Sequence, residues 1–133
     1  NSKIISLLQG KNILPVCPEE LGGLPTPRPP AEMIQGTCIK EAQEEVKISF
    51  KDGRDATQKF LDGAEKTKMI AEKHHVKLAI MKERSPSCGV NYIYDGTFSG
   101  KVIPGCGVST AYLKEMGITV ISEETLINQN NTL

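Results

Sequence analysis

Two short segments of this chain place a cysteine shortly after an apolar run. Ile13–Val16 leads directly into Cys17, and Leu78–Met81 is followed by a loop rich in serine, proline and glycine that contains Cys88. Thiolates act as nucleophiles and as metal ligands. In open α/β sheets, ligands bind outside the carboxyl ends of the strands, where cysteines serve chemistry rather than packing. We therefore predict one shared site, built from the two cysteine loops.

Polar side chains beside the two cysteines are candidates for catalysis and binding. Glu19 lies two residues after Cys17, where a carboxylate can act as a general acid or base. Ser85 and Ser87 stand just before Cys88 and offer hydroxyl groups, which can donate to a ligand or cap the loop. These residue types are the ones that proton transfer and ligand binding at a thiolate site require.

Charged residues and histidines complete the set of candidates. Lys82–Arg84 separates the second apolar run from its cysteine loop and is either a solvated charge run or a source of site residues. Arg84 can lower the pKa of the Cys88 thiol. His74 and His75 would permit a cysteine–histidine hydrolase, but they precede a predicted strand and so belong to the opposite edge of the sheet. We expect His74 to be packed and His75 to face solvent.

The spacing of the four cysteines excludes the common dithiol motifs. No CxxC or CxxxC pair occurs, which argues against a zinc ribbon and against a thioredoxin-like site. The chain is also too sparse in cysteine for a disulfide scaffold, so we expect reduced thiols. Cys106 stands between two glycines before a predicted helix, where backbone amides either hold an anion or form a simple turn. Cys38 lies in a connection between two predicted strands.

The composition restricts the classes of partner. Acidic and basic residues number 16 each and no basic run is present, which disfavours nucleic acid. No apolar stretch approaches the roughly 20 residues that span a bilayer, so we expect no membrane segment. No signal peptide is visible, which favours a cytoplasmic location. A length of 133 residues suits a single domain with one core.

Helical and extended patterns alternate along the chain. The alternation implies parallel strands, and we predict an α/β fold: a single-domain, doubly wound, mostly parallel sheet flanked by helices, with a small hairpin near 91–100 whose turn lies at Asp95-Gly96. A capping box at 55–58 opens the longest helix. The predicted helices cover 2–9, 55–74, 109–114 and the turn after Ser122, and the predicted strands cover 13–16, 31–34, 46–50, 77–82 and 118–121.

A proline-rich segment follows the first cysteine loop. Gly22–Pro30 holds four prolines within six residues, which excludes a helix or a central strand and leaves an extended conformation. An isolated segment of this kind is usually a surface linker. Because it directly follows the Cys17 loop, it is also a candidate for one wall of the site.

Four segments together resemble one known family: Val16–Glu19, Gly22–Pro30, Lys82–Gly89 and Tyr94–Gly100 look like the DUF523 family, which includes the thiouracil desulfurases. The resemblance covers nearly the whole chain, 1–133. It implies a 4Fe-4S cluster held by three cysteines with one iron left open, and two of the family's ligand positions match Cys17 and Cys88. The third ligand normally lies in a Ser-x-Cys-Leu-x-Gly stretch after the family's first strand. This chain contains no such stretch, so we expect that strand and that ligand to be absent from it.

The resemblance also implies an enzyme and its reaction. We expect iron–sulfur-dependent desulfuration of a small thio-substituted heterocycle similar to thiouracil, in which the open iron binds the exocyclic sulfur and water replaces it at carbon. Glu19 and Ser85 are the expected catalytic residues. Arg28, Arg84 and Ser87 are the expected substrate-binding residues. The expected partner is a small thio-compound, and a homo-oligomer is compatible with the sequence.

Two alternatives to a desulfurase remain open. The same loops can hold a cluster or a small metabolite in a regulatory module that senses redox or sulfur status without turnover. They can also form a structural zinc site from Cys17, Cys88 and the cysteine that the chain lacks. Sulfide release from thiouracil separates the enzyme from the regulatory module, and metal analysis identifies zinc.

Overall fold

A computed structural model describes residues 12–36 and 45–131 of the chain. The predicted helix at 2–9 and the candidate Cys38 lie outside the described residues. The described helices are α1 (Pro18–Leu21), α2 (Thr57–Lys73), α3 (Val108–Glu115) and α4 (Glu123–Asn131). The described strands are β1 (Ala31–Gln35), β2 (Lys47–Phe50), β3 (Leu78–Met81), β4 (Tyr92–Tyr94), β5 (Val102–Pro104) and β6 (Thr119–Ser122).

The described strands form three two-stranded sheets. Strands β1 and β2 pair antiparallel, β3 and β6 pair parallel, and β4 and β5 pair antiparallel. The mixture of helices and strands confirms the predicted α/β class. Among the described strands, β3 and β6 are the parallel pair. Along the chain, β3 is followed by the hairpin of β4 and β5, then by α3, and then by β6.

The hairpin near 91–100 is present, with its second strand farther along the chain than expected. Strand β4 leads into Asp95-Gly96 as predicted, and the backbone N–H of Asp95 donates to the carbonyl of Lys101 at 3.0 Å. The returning strand is β5, at Val102–Pro104. The residues between the strands form a longer loop because Thr97 Oγ1 donates to the Asp95 carboxylate at 2.6 Å, which holds a local turn.

The predicted strand at Ile13–Val16 is wrong. This segment has no helix or strand assignment, and its side chains are exposed, with Ile13 at 52% and Val16 at 41%. A strand forms only when a neighbour satisfies its backbone groups, and no described strand pairs with these residues. The apolar character that indicated a buried strand therefore describes an extended segment that leads into Cys17.

Helix α2 confirms the longest predicted helix. The Asp55 carboxylate accepts hydrogen bonds from the backbone N–H and the hydroxyl of Thr57 at 3.2 and 2.7 Å, which forms a turn just before the helix. The predicted capping box at 55–58 is wrong, because Ala56 is the N-cap residue without a side-chain cap and Gln58 bonds to Asp62 instead. Its predicted apolar face is buried, and Phe60 and Ala64 are 2% and 0% exposed. The face packs against β1 and β2 in the larger of two buried clusters, and a second cluster joins β3 to α3 through Met81 and Leu113.

The short helix α1 lies against α2 at a close backbone contact. A Cβ atom added at Gly63 would lie 2.0 Å from the carbonyl oxygen of Pro18, so only a glycine permits the approach. The contact fixes the position of α1, whose first turn carries Glu19 directly after Cys17. No helix in the described ranges is long and apolar enough to cross a membrane.

Candidate active site

The start of α3 is hydrogen-bonded to the loop that carries Cys88. The backbone N–H groups of Gly107, Val108 and Ser109 donate to carbonyls of the loop at 2.8–2.9 Å, and the Thr110 hydroxyl donates to the carbonyl of Cys88 at 2.9 Å. Orphan donors at a helix start normally bind water or a cap. Here they bind the cysteine loop, and a Cβ atom at Gly107 would meet the Ser87 carbonyl carbon at 2.2 Å.

Glu83 holds the other end of the same loop. Its carboxylate accepts hydrogen bonds from the backbone N–H groups of Val90, Asn91 and Tyr92 at 2.7–3.1 Å and from the Asn91 side chain at 3.1 Å. Burial alone would raise the pKa of this carboxyl, but the hydrogen bonds outweigh it and lower the pKa. Glu83 therefore stabilises the loop as a carboxylate.

The two serines of the loop take different positions. Ser85 Oγ accepts a hydrogen bond from the backbone N–H of Cys88 at 2.7 Å, which caps the turn at the cysteine. Ser87 is 1% exposed, and its hydroxyl is hydrogen-bonded to that of Ser109 at 3.0 Å. The structure thus brings Ser85 to the site surface and packs Ser87 against α3.

Arg28 joins the Cys17 loop to the proline-rich segment. Its Nε donates to the Glu19 carboxylate at 2.5 Å, and one of its terminal nitrogens lies 3.7 Å from Cys17 Sγ. The other terminal nitrogen donates to the Pro25 carbonyl and to the Thr26 hydroxyl at 3.2 and 3.1 Å. One guanidinium therefore holds the carboxylate, the thiol and the proline-rich segment in fixed relation.

The two cysteine loops meet, as the sequence predicted. The pKa of the Cys88 thiol is raised to about 11, mainly by burial and also by the charges of Glu19 and Cys17, while hydrogen bonds with Ser87 and Ser85 partly oppose the rise. Glu19 from the first cysteine loop and Ser85 and Pro86 from the second line one pocket, so the two loops adjoin. The expectation that Arg84 lowers the pKa of Cys88 is wrong, because Arg84 instead pairs with Glu124 at 2.6 Å.

A pocket of about 270 Å³ opens beside the cysteines. Arg28, which contacts Cys17, and Ser85, which binds the Cys88 amide, both line it, together with Glu19. Pro29 and Pro30 line it as well, so the end of the proline-rich segment forms part of the pocket wall. The complete lining consists of Glu19, Arg28, Pro29, Pro30, Ala31, Glu32, Phe50, Phe60, Ser85, Pro86 and Tyr94.

The structure does not bring Arg84 and Ser87 to this pocket. Arg84 has a positive φ of 76° and pairs with Glu124 on α4, and Ser87 is enclosed with Ser109. Neither residue belongs to the lining. Their predicted role in substrate binding stays a prediction.

The sequence analysis missed the residues that β1 and its neighbours bring to the pocket. The pocket lining includes four residues from separate elements: Glu32, Phe50, Phe60 and Tyr94. Glu32 carried a usable signal, because it is a charged residue inside the predicted strand 31–34 and is 7% exposed. The aromatic residues carried no such signal, since an aromatic side chain suits a core position as well as a pocket wall.

Two further expectations need correction. His74 is exposed and lines a groove of about 450 Å³ together with Cys17, whereas we expected it to be packed at the opposite edge. Cys106 is 1% exposed and disulfide-bonded, so the expectation of reduced thiols is wrong at this position. The amides flanking it are also engaged: Gly105 donates to Asn91 at 3.1 Å and Gly107 to Gly89 at 2.8 Å. Because these two amides are already bound to the segment around the cysteine loop, they are not available to bind an anion.

The donor set near the pocket suits a soft metal centre in part. Cys17 and Cys88 are free of disulfides and half-buried, and thiolates are the usual ligands of iron–sulfur clusters. The described residues contain no group of three or more potential metal ligands. The described part of the chain therefore offers two free thiols near the pocket and no complete set of three ligands.

A comparison with known families identifies the chain. The model of the 2-thiouracil desulfurase family matches residues 1–125. The chain belongs to this family. The match confirms the resemblance found in the sequence, and at the level of the family it confirms the expected class of enzyme, a desulfurase.

Two individual proteins are similar to this family member. An uncharacterized protein of Bacillus subtilis (strain 168), YbbK, is 46% identical over 126 residues, which cover 95% of this chain and 83% of that protein. The solved structure of the 4Fe-4S-dependent thiouracil desulfidase TudS matches with a TM-score of 0.78 and 41% identity, covering 92% of this chain and 75% of TudS. The second match extends the similarity from the sequence to the fold.

Proposed function

We propose that this chain releases sulfide from a small thio-substituted heterocycle of the thiouracil type, with water replacing the sulfur. The observation that carries the proposal is the pairing of two free thiols with a pocket lined by aromatic and carboxylate side chains, in a member of the 2-thiouracil desulfurase family. The solved structure of TudS, an enzyme named for this activity, supports it.

Cys17 and Cys88 would hold a 4Fe-4S cluster, as the TudS name and the chemistry of the thiols suggest. A third thiolate ligand, expected in a Ser-x-Cys-Leu-x-Gly stretch, is not among the described residues. When bound, such a cluster supplies an iron without a protein ligand, which is a Lewis acid and a soft acceptor for the exocyclic sulfur. The protein contributes the rest of the site.

The pocket lining fits a flat, polar ring. Phe50 and Tyr94 offer aromatic surfaces on which a heterocycle can stack, and Pro29 and Pro30 form a rigid wall. Ser85 Oγ accepts from the Cys88 amide and so retains its own proton to donate to a ring carbonyl or to sulfur. These contacts would place the ring with its sulfur toward the cysteines.

Glu19 is the proposed acid–base residue. Arg28 fixes its carboxylate at the pocket, near both cysteines, which is where an attacking water must lose a proton. In the overall reaction a C–O bond forms from water, the C–S bond breaks, and the protons of the water leave with the sulfide. No electrons are gained or lost, so the reaction needs no external oxidant or reductant.

Metal analysis after anaerobic reconstitution with iron and sulfide tests the site. The measurement uses this chain and a version preceded by the family's Ser-x-Cys-Leu-x-Gly stretch, each with Cys17→Ser or Cys88→Ser. We expect iron and acid-labile sulfide in the wild type of the longer version and a loss of most of both in each variant. Glu65→Gln, on the exposed face of α2 and away from both cysteines in the sequence, is the control and should keep them.

The same samples separate the alternatives. A cluster that is bound without any release of sulfide from 2-thiouracil would support a regulatory module. Zinc in place of iron would support a structural site. Full release of sulfide by the Cys88→Ser variant would contradict the proposed role of the cysteine pair.

A further inference from the structure

We propose that Glu32 determines the specificity of the pocket by accepting a hydrogen bond from a ring N–H of the substrate. The site would then select heterocycles that carry an N–H group beside the carbon bearing sulfur, and would reject rings alkylated at nitrogen. This inference rests on the proposed function, because it concerns the same pocket.

Glu32 lies in β1 between the pocket and the hairpin loop. Its side chain lines the pocket, yet the residue is only 7% exposed. Its Oε1 accepts hydrogen bonds from the backbone N–H groups of Gly96 and Phe98 at 3.0 and 3.1 Å. Strand β1 and the loop after β4 therefore fix the carboxylate at the edge of the pocket.

The second oxygen of this carboxylate is the feature that points to a ligand. Each carboxylate oxygen can accept about two hydrogen bonds, and Oε1 already accepts two. Within the described residues, no donor is hydrogen-bonded to Oε2. No fully buried side-chain oxygen in the described residues lacks a hydrogen-bond partner, so Oε2 is open to the pocket. A ligand that brings an N–H group to this oxygen gains a strong, charge-assisted hydrogen bond.

The other polar groups of the pocket are occupied or differently suited. Arg28 donates to Glu19 and Thr26 and contacts Cys17, and the Glu19 carboxylate is neutralised by this guanidinium. Ser85 is a hydroxyl that accepts from the Cys88 amide. Glu32 is therefore the pocket acceptor that has no cationic partner among the described residues.

Discrimination follows from the cost of leaving this acceptor unpaired. A site built to bind an N–H group rejects an analogue that lacks it more strongly than an apolar pocket rejects an extra methyl group. A ring methylated on nitrogen removes the donor and also brings the methyl group against the carboxylate. The expected discrimination is about tenfold or more in affinity.

Equilibrium binding of uracil tests the inference without requiring turnover. Uracil keeps the ring and its N–H groups, and dimethyluracil methylated on both ring nitrogens keeps the ring but has no donor. We expect the wild type to bind uracil at least about tenfold more tightly than dimethyluracil, as measured by calorimetry. Equal affinity for the two compounds, or no binding of uracil, would overturn the role of Glu32.

The variant Glu32→Gln sharpens the test because it changes one oxygen. The glutamine carbonyl can still accept from Gly96 and Phe98, so the loop stays anchored, but the second oxygen becomes a donor. We expect uracil to bind at least about tenfold more weakly and dimethyluracil to bind as before. Glu65→Gln, on the exposed face of α2, should bind both compounds as the wild type does.

The outcomes separate this inference from the proposed function. If uracil binds equally to the wild type and to Glu32→Gln while the reconstituted wild type releases sulfide from 2-thiouracil, desulfuration stands and the role of Glu32 fails. If Glu32→Gln weakens uracil binding but no variant or wild type releases sulfide, recognition by Glu32 stands and desulfuration fails. The wild-type comparison of the two compounds decides the matter even if the variant does not fold.

Discussion

Arg28 is the residue that holds the first half of the candidate site together. Its guanidinium reaches Glu19 at 2.5 Å, Cys17 at 3.7 Å and Thr26 at 3.1 Å. An ammonium group is a single compact donor site and cannot reproduce this planar fork. The position of the proposed acid–base carboxylate therefore depends on an arginine and not simply on a positive charge.

Replacing Arg28 by lysine tests this dependence. We expect Arg28→Lys to lower kcat/KM for 2-thiouracil by about tenfold or more, because charge-assisted hydrogen bonds worth about 1.5–3 kcal/mol are lost. Steady-state release of sulfide measures it. The control is Arg54→Lys, which alters an exposed ion pair with Asp52 and should leave the rate unchanged. An Arg28→Lys enzyme with wild-type kcat/KM would show that Arg28 does not position the site.

The carboxylate of Glu83 should make the free energy of unfolding depend on pH. Its pKa is lowered in the folded chain, so its contribution to stability is present above the unfolded pKa of about 4.3 and is lost as the pH falls below it. We expect Glu83→Gln to unfold at neutral pH with a free energy lower by about 1–3 kcal/mol, and the difference to shrink near pH 3. Urea unfolding at both pH values measures it.

A control variant and the sign of the pH dependence both test the role of Glu83. Glu65→Gln changes an exposed carboxylate on α2 and should stay within about 0.5 kcal/mol of the wild type at neutral pH. A difference between wild type and Glu83→Gln that grows on acidification would contradict the assignment, because it would require the folded state to favour the protonated form.

At the residue scale, the sequence predicted the groups that follow apolar runs and missed those that arrive from elsewhere. Glu19 and Ser85 lie within three residues of a cysteine, Arg28 lies in the proline-rich segment that follows Cys17, and all three line the pocket. Glu32 and Tyr94 reach it only through tertiary packing, which a local pattern does not encode. Arg84 lies near Cys88 in sequence, yet its side chain forms an ion pair with Glu124. Its backbone has a positive φ of 76°, which the local sequence did not indicate.

At the scale of elements, the contact between α1 and α2 positions the first cysteine loop. Gly22 and Gly63 face each other, and a Cβ atom at Gly63 would lie 2.0 Å from the Pro18 carbonyl oxygen. Helix α1 has only four residues and begins directly after Cys17. Such a short helix has little stability of its own, so its place depends on this contact.

Gly63→Ala gives a prediction whose sign is informative. Helix propensity alone would make alanine more stable than glycine by about 1 kcal/mol in a helix interior. The backbone contact instead requires α1 to move, and we expect a loss of about 1–3 kcal/mol in the free energy of unfolding. Lys66→Ala, on the exposed face of the same helix, is the control and should not destabilise the chain. A more stable Gly63→Ala would contradict the contact.

The elements that the sequence predicted well are those with a complete local signal. Helix α2 follows a turn held by Asp55 and has a buried face, and the structure confirms the helix within a few residues of its predicted ends. Strand β3 likewise follows its apolar run. Ile13–Val16 had only apolar character, and strand formation also depends on a partner that local sequence does not specify.

At the scale of the whole molecule, the site connects two distant parts of the chain. Cys17 precedes α1, whereas Cys88 lies in a loop held by Glu83 and α3. A group bound by both cysteines would cross-link these parts. Any ligand that binds only the folded chain also stabilises it by mass action.

Loading the site with a cluster should therefore raise the melting temperature. We expect a rise of at least about 3 °C after anaerobic reconstitution, which corresponds to roughly 1 kcal/mol for a domain of this size. Differential scanning calorimetry measures the shift, and Cys88→Ser treated in the same way should show little of it. An equal rise in the wild type and in Cys88→Ser would mean that the loaded metal is bound elsewhere.

The central claim is that water replaces sulfur on a heterocycle held beside Cys17 and Cys88. The most direct test follows the conversion of 2-thiouracil by the reconstituted enzyme in water enriched in the heavy oxygen isotope, with uracil analysed by mass spectrometry and sulfide by titration. The account predicts one heavy oxygen in each uracil and one sulfide for each uracil formed. Uracil without the label, or sulfide released equally by Cys88→Ser, would contradict it.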